Sequence, residues 1–425
     1  MQIREMIITP IAISDPPLLN AAGLHAPYAL RIIVELVTDD GLSGWGEIPG
    51  NQTTYAALKQ AQEHVIGKDP FNINAIFATL STISKIDPRG NTPWDQRHWV
   101  HVQSAIEVAC YDLMGKAVDR PVVDLLGGKV RDRVPFSAYL FYKYEGAGGA
   151  LGFGIDETAT GWSAARQRPA LDAEGIVAQA RAMIDHYGFK SIKLKGGVFE
   201  PAVEVDSMIA LRAAFGESVP LRLDPNAVWS VDTAIEWGKK LEGVLEYYED
   251  PVRGQENMGK VGQAVNIPMA TNMCTTSFAD LPGSVQWQSE NIILSDHHYW
   301  GGFRATQDLA RFCATFERGM SMHSNSHLGI SLAAMVHLAA TIPNLTYDCD
   351  THYPWQDGAD LVMNPLPFED GAVSVPQSPG LGIEVDRDML AKLHQQYVDC
   401  GLTERNDEIE IQKVEPNWKF QSTRW

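Results

Sequence analysis

The chain has 425 residues, too many for one ordinary hydrophobic core, so two domains are expected. An apolar fraction of 45% with 20% charged residues fits a soluble globular protein and excludes a disordered one. The formal charge of -19 leaves no basic face for phosphates, which excludes nucleic acid as a partner. An anionic ligand would need local lysine, histidine or a bound cation to reverse the field. The cysteines (Cys110, Cys274, Cys313, Cys349, Cys400) lie far apart, are odd in number and form no CxxC pair, so a reducing cytoplasm is favoured over a disulfide framework. The opening MQIREMIITPIAISDPPLL lacks the basic-then-apolar order of a signal peptide, and no apolar run suggests a membrane span.

The first stretch alternates in the strand manner. Met6–Ile8 and Leu30–Val37 are followed by turns at Asp39-Asp40-Gly41 and Gly44-Trp45-Gly46, which reads as an antiparallel meander. From Tyr55 to Gly127 the period becomes helical, with Ile106, Val108, Ala109, Leu113 and Met114 on one stripe of a run ending at Gly115. From Pro135 strands and helices alternate. PFSAYLF is followed by a helix that Asp172 can cap and Gly188 can stop, then by SIKLK, a helix through Met208–Phe215, and LRLDP. A helix from Ser230 to Leu241, LEYYEDP, PMATN, NIILSD, GMSMHS and LTYDCD complete eight strands, the count that closes a parallel barrel. Residues 1–130 are thus expected as an α+β domain and 131–368 as the barrel. In 369–425, a strand at Ala372–Val375 and a helix at Arg387–Cys400 are expected to pack on the first domain. The glycine-rich Tyr144–Ala170 is a candidate lid or binding loop.

Polar chemistry concentrates at the strand ends. Asp224 and Glu249 end successive strands, so both carboxylates project at the barrel's C-terminal rim, and Asn272 ends the next. Two carboxylates held together repel unless a cation joins them. With a neutral amide oxygen they suit Mg²⁺, which keeps open positions for water or substrate. Taken singly, each could instead be a turn or helix-capping residue. Lys193 and Lys195 are two apart, hence on one face, the barrel interior. Their mutual repulsion is expected to lower both pKa values and free one amine as a base. His323, after the seventh strand, stands nearly opposite Lys195, and Asp296, after the sixth, can bond its ring. A base on each side of a metal-held carboxylate suits removal of the adjacent α-proton. No His-x-His pair follows the first strand, which argues against a metal-dependent hydrolase.

These strings resemble the enolase superfamily and, within it, the glucarate dehydratase family. KLKGG at Lys193–Gly197 is similar to the family's base motif, and LDPN, EDP and ATNM to its ligand strings. The resemblance implies a modified TIM-like (β/α) barrel with an α+β N-terminal capping domain completed by the C-terminal segment. It implies Lys195 and His323 as bases, Asp296 as partner of His323, and Lys193 as tuner of Lys195 and contact for the carboxylate. Asp224, Glu249 and Asn272 would hold Mg²⁺. Asn226, Ser324, Asn325, Tyr139 in AYLFY, and His352 in DTHYPWQDG would meet the substrate. So would His25, carried by the lid string LLNAAGLHAPYALR, with GEIPGN at Gly46–Asn51 as a second lid loop. For the family's C-terminal arginine the candidate is Arg424. DPNAVW stands where the family has DPNGAW, and SDHHYW where it has ADPHFW. The activity implied is Mg²⁺-dependent dehydration of an acid sugar, D-glucarate foremost, giving 5-dehydro-4-deoxy-glucarate. Dehydration, racemisation or epimerisation of another acid sugar, or a catalytically silent relative, are the alternatives. The resemblance also implies a small-molecule diacid as partner and, as is common among relatives, a homo-oligomer.

Overall fold

The structure is a computed structural model and describes residues 1–85, 87–356 and 360–425. Strands Ile3–Ser14, Tyr28–Thr38 and Ser43–Pro49 form the expected antiparallel meander. Helix His98–Ala117 lies across it so closely that a Cβ on Gly44 would stand 2.2 Å from the Ala109 carbonyl oxygen, and one on Gly46 2.3 Å from that of Ala105. Only glycine permits that approach. The expected apolar stripe is a helix buried on nearly every side, Ser104, Glu107 and Asp112 included. Its two buried carboxylates are satisfied by other elements: Arg304 donates to Glu107, and the Trp45 and Leu381 amides donate to Asp112, whereas Ser104 Oγ has no hydrogen-bond partner.

Seven parallel strands follow in chain order around a curled sheet: Ala138–Phe141, Ile192–Lys195, Leu221–Asp224, Tyr247–Glu249, Met269–Thr271, Ile292–Ser295 and Gly319–Met322. The eighth expected strand, LTYDCD, forms no ladder. Between Leu345 and Asp350 the chain makes only isolated bridges, yet these reach both sheet edges. The Asp350 amide donates to Met322 O at 2.8 Å and the Ser137 amide to Cys349 O at 2.9 Å. Thr346 and Tyr347 share one acceptor, Met320 O, and the Asp348 carbonyl is taken by Arg222 and Ser321 side chains, so no regular register develops. The barrel is closed by single bonds there. Beyond it DTHYPWQDG turns into a short helix at Tyr353–Trp355, and its Asp357 and Gly358 lie outside the described residues.

The capping signals act as expected. Asp172 accepts from Gly175 N at 2.8 Å, Gly188 ends that helix with φ 74°, and Ser230 accepts from Thr233 N at 3.2 Å. Helix Pro201–Phe215 begins earlier than expected, with proline at its first turn. In the tail, Ala372–Ser374 pairs with Phe368–Glu369 and Arg133–Pro135, while helix Arg387–Cys400 lies on the first meander strand, His394 and Gln396 bonding the Pro10 and Ala12 carbonyls. The glycine-rich loop is not structureless. It carries a turn of helix at Gly149–Leu151 and a short helix at Gly161–Ala165. It packs beneath the lid string: a Cβ on Gly148 would stand 1.9 Å from Asp15 O, and Gly149 N donates to Pro27 O. Among the described residues no helix is long and apolar enough to cross a membrane.

Candidate active site

Strand parity puts Lys193 and Lys195 inside the barrel, both buried. Lys193 Nζ lies 2.6 Å from Glu249 Oε2, 2.6 Å from Asp350 Oδ2 and 3.8 Å from Asp224 Oδ2. Lys195 Nζ lies 2.6 Å from Asp224 Oδ2. Burial pulls the Lys193 ammonium down, but Asp350 and Glu249 outweigh it and hold its pKa well above the ordinary lysine value. The lowering expected from the neighbouring lysine is therefore reversed: carboxylates outnumber ammonium groups around it. Burial pushes the Glu249 carboxyl well above the usual range, with Asp224 and Asp350 adding to it and Lys193 opposing. Burial acts the same way on Asp224, where Lys195 and Lys193 overcome it and leave the carboxyl lowered.

The chain bends sharply to bring these oxygens together. Asn226, Ala227 and Asp250 all adopt the left-handed region, at φ 55°, 59° and 37°. The Ala227 amide donates to Asp250 O, and both the amide and side chain of Asn226 donate to Asp224 Oδ1 at 2.9 Å, leaving Asn226 Oδ1 buried without a partner. Asp250 binds Thr271 Oγ1 at 2.5 Å and the Asn272 amide at 2.8 Å, which sets the Asn272 side chain 2.9 Å from Glu249 Oε1. Asp224, Glu249 and Asn272 thus meet in one buried cage, in which Asn272 Nδ2 donates to Glu249 Oε1. Its excess of carboxylates suits a hard divalent ion. Among the described residues no cluster of three or more His, Cys, Asp and Glu side chains forms a metal site, so the set on offer is two carboxylates and an amide.

Above the cage lies a cavity of about 30 Å³ walled by Lys195, His323, Tyr139, His352, Ser324 and Asn325, and by His25 from the capping domain. Seven of the expected site residues share that small space, and Lys193, Asn226, Asp224, Glu249, Asn272 and Asp296 lie outside its lining. Tyr139 is overlaid by Lys193 Nζ at 4.9 Å and packs edge-on against His352 at 4.9 Å. Ser324 works through the backbone: its hydroxyl accepts from the His352 amide at 3.0 Å. His323 Nδ1 is 3.5 Å from Asp296 Oδ2, too long for the expected hydrogen bond, and both atoms lack one. Burial lowers the His323 pKa well below its ordinary value, helped by the two lysines, and raises that of Asp296 to about 8.

Several wall residues escape a reading of the sequence. Asn20, Trp94, Phe141, Tyr299 and Arg405 line the same cavity. The family arginine expected at Arg424 lies elsewhere, bonded to Gly197 O and Ala21 O. Arg405 occupies the cavity wall, its Nη2 2.9 Å from His25 Nε2 and 2.6 Å from Asp407 Oδ2, stacked over Trp94. Asn20 lies within the lid string but is not singled out there, and nothing near Arg405 in sequence pairs it with a histidine 380 residues away. Of GEIPGN, Pro49, Gly50 and Asn51 line a separate, larger cavity of about 240 Å³ that shares His25, Trp94, Asn325, Ser326 and Arg405 with the first.

Residues 6–127 match the mandelate racemase / muconate lactonizing enzyme N-terminal domain, and residues 175–389 the enolase C-terminal domain-like family. A probable glucarate dehydratase from Streptomyces coelicolor is 43% identical over 439 residues, 100% of this chain and 99% of its own. An enolase from Thermobispora bispora, solved with magnesium and formate, is 49% identical with a TM-score of 0.91, covering 98% of each chain. Another from Pseudomonas fluorescens, solved with magnesium, potassium and tartrate, is 45% identical with a TM-score of 0.91, covering 100% of this chain and 99% of its own. By fold, site strings and full-length similarity, the chain belongs to the enolase superfamily, in the glucarate dehydratase family.

Proposed function

We propose that this protein is a Mg²⁺-dependent acid-sugar dehydratase and that D-glucarate is its substrate. The observation that carries the reading is the pairing of two bases, Lys195 and His323, in one cavity beside a buried cage formed by the Asp224 and Glu249 carboxylates and the Asn272 amide. Asp224, Glu249 and Asn272 would hold the ion. When bound, it offsets the negative charge that builds on the substrate carboxylate as the α-proton leaves.

The chain's own residues supply the proton chemistry. Lys195 or His323 removes the α-proton, according to the configuration at that carbon. His323, neutral in its buried setting, can accept that proton or, once charged, hand one to the β-hydroxyl. The C–H and C–O bonds break, water departs, and the resulting enol becomes the keto acid, 5-dehydro-4-deoxy-glucarate. Lys193 lies among the same carboxylates and helps neutralise the substrate carboxylate. Tyr139, His352 and Asn325 offer polar atoms around it, Asn226 lies beside Asp224 with its Oδ1 unpartnered, and His25 with Arg405 reaches in from the lid side. Two opposed bases also permit epimerisation, which makes idarate a second substrate on this reading. Relatives named as dehydratases support the reaction class, and those solved with magnesium support the ion. Incubation with Mg²⁺ and D-glucarate, read as keto-acid formation, tests it: keto acid from D-glucarate supports it, and its absence while another acid sugar is dehydrated moves the substrate assignment.

A further inference from the structure

Arg31 and Glu47 sit on facing strands of the capping sheet, paired at 2.9 Å and almost wholly buried. Neither takes part in the proton chemistry, yet beyond their own strand pairing every remaining side-chain bond they make reaches across to the barrel. Glu47 Oε1 accepts from Leu328 N at 2.8 Å and Oε2 from Ser331 N at 2.9 Å, so its carboxylate satisfies the N-terminus of helix Gly329–Ala340. Arg31 Nη1 donates to Asn325 Oδ1 at 3.1 Å and Nη2 to Ser331 Oγ at 3.4 Å. His298 Nε2 bonds Glu47 O and Ser331 Oγ at 2.8 and 3.0 Å. The segment secured in this way is the one that carries His323, Ser324 and Asn325 to the cavity.

We propose that Arg31, fixed by Glu47, is a positioning residue that turns the Asn325 amide so that it presents N–H donors to the cavity. The capping domain thereby decides that this wall recognises an oxygen acceptor, a carboxylate or hydroxyl, on the substrate. The guanidinium can only donate, so an amide oxygen held by it leaves the amide nitrogen for the ligand. A lysine at this position would keep the charge beside Glu47 but lose the two-pronged reach to Asn325 and Ser331. The inference rests on the reading of Asn325 as a substrate contact.

A double-mutant cycle with Arg31→Lys and Asn325→Leu, measured as kcat/KM for D-glucarate, tests it. Arg31→Lys should raise KM at least tenfold, and the effect should shrink at least fivefold in the Asn325→Leu background. Full additivity overturns the proposal, since a merely stabilising Arg31 would act the same in either background. Should Arg31→Lys fail to fold, Asn325→Asp replaces it: the carboxylate still accepts from Arg31 but offers no donor. KM should then rise at least tenfold, by more than kcat falls, and an unchanged KM overturns the proposal. If the unsubstituted protein turns over no acid sugar, the function reading fails separately. The crystal structure of Arg31→Lys, or of Glu47→Gln if that variant does not fold, then decides: a turned Asn325 amide supports the positioning role, and an unmoved one refutes it.

Discussion

Replacing Lys195 by methionine removes the ammonium that stands 2.6 Å from Asp224 while keeping the volume of the side chain. The substitution should do two things of opposite sign. As loss of a base, it should lower turnover by about 10²–10⁴-fold. As loss of a competing cation, it should tighten Mg²⁺ binding. Like charges about 5 Å apart, at an effective dielectric of ~20, repel by about 3 kcal/mol per unit of charge. Even a quarter of that for a doubly charged ion is about 1.5 kcal/mol, or roughly tenfold in affinity. The fold should survive, because Lys193 remains 3.8 Å from Asp224 and the carboxylate is not left alone. Titration calorimetry with MgCl₂, on a variant shown to unfold cooperatively, measures the second effect. Mg²⁺ affinity that is unchanged or weaker in Lys195→Met would refute the idea that lysines and a dication share these oxygens.

Asp296 faces His323 at 3.5 Å, His298 at 4.0 Å, and Arg31 and Asp95 at longer range, and its pKa is raised to about 8 by burial. A carboxyl raised in the folded state stabilises fully below the unfolded value near 4, and that contribution fades as pH rises through about 8. Asp296→Asn should remove that part of the pH dependence, about 2–4 kcal/mol after discounting for relaxation, as seen in denaturant unfolding measured across this range. Arg405→Leu should raise KM for a diacid about 10–100-fold, the worth of a charge-assisted hydrogen bond beside His25, as steady-state kinetics would show. Gly148→Ala should cost about 2–4 kcal/mol, because its φ of 76° and the Asp15 carbonyl at 1.9 Å both oppose a Cβ, and the melting temperature should fall by several degrees.

The strand-end chemistry was legible because strand parity is strict. Lys193 and Lys195 had to share a face, and Asp224, Glu249 and Asn272 had to share a rim. Helix ends at Asp172, Gly188 and Ser230 were equally legible, since a cap is a local event. The sequence alone did not foretell the direction of the Lys193 shift, because Asp350 joins the cage from a segment that makes no strand. Arg405 and the Arg31–Glu47 pair were hidden for a related reason. Their partners are far away in the chain, and each is an ordinary charged residue until the tail and the meander are folded against the barrel. The lid reading of the glycine-rich loop followed composition, which could not foretell that Gly148 packs close to Asp15 or that Gly149 bonds Pro27.

On the proposed mechanism Lys195 and His323 exchange and remove a proton α to a carboxylate held in this cavity. Incubating the protein with Mg²⁺ and D-glucarate in D₂O, followed by proton NMR, tests it most directly. New keto-deoxy signals are expected, with both product formation and α-proton exchange abolished in a Lys195→Met, His323→Asn double variant. Neither exchange nor product from any six-carbon diacid or sugar acid, with Mg²⁺ shown to bind, would contradict it.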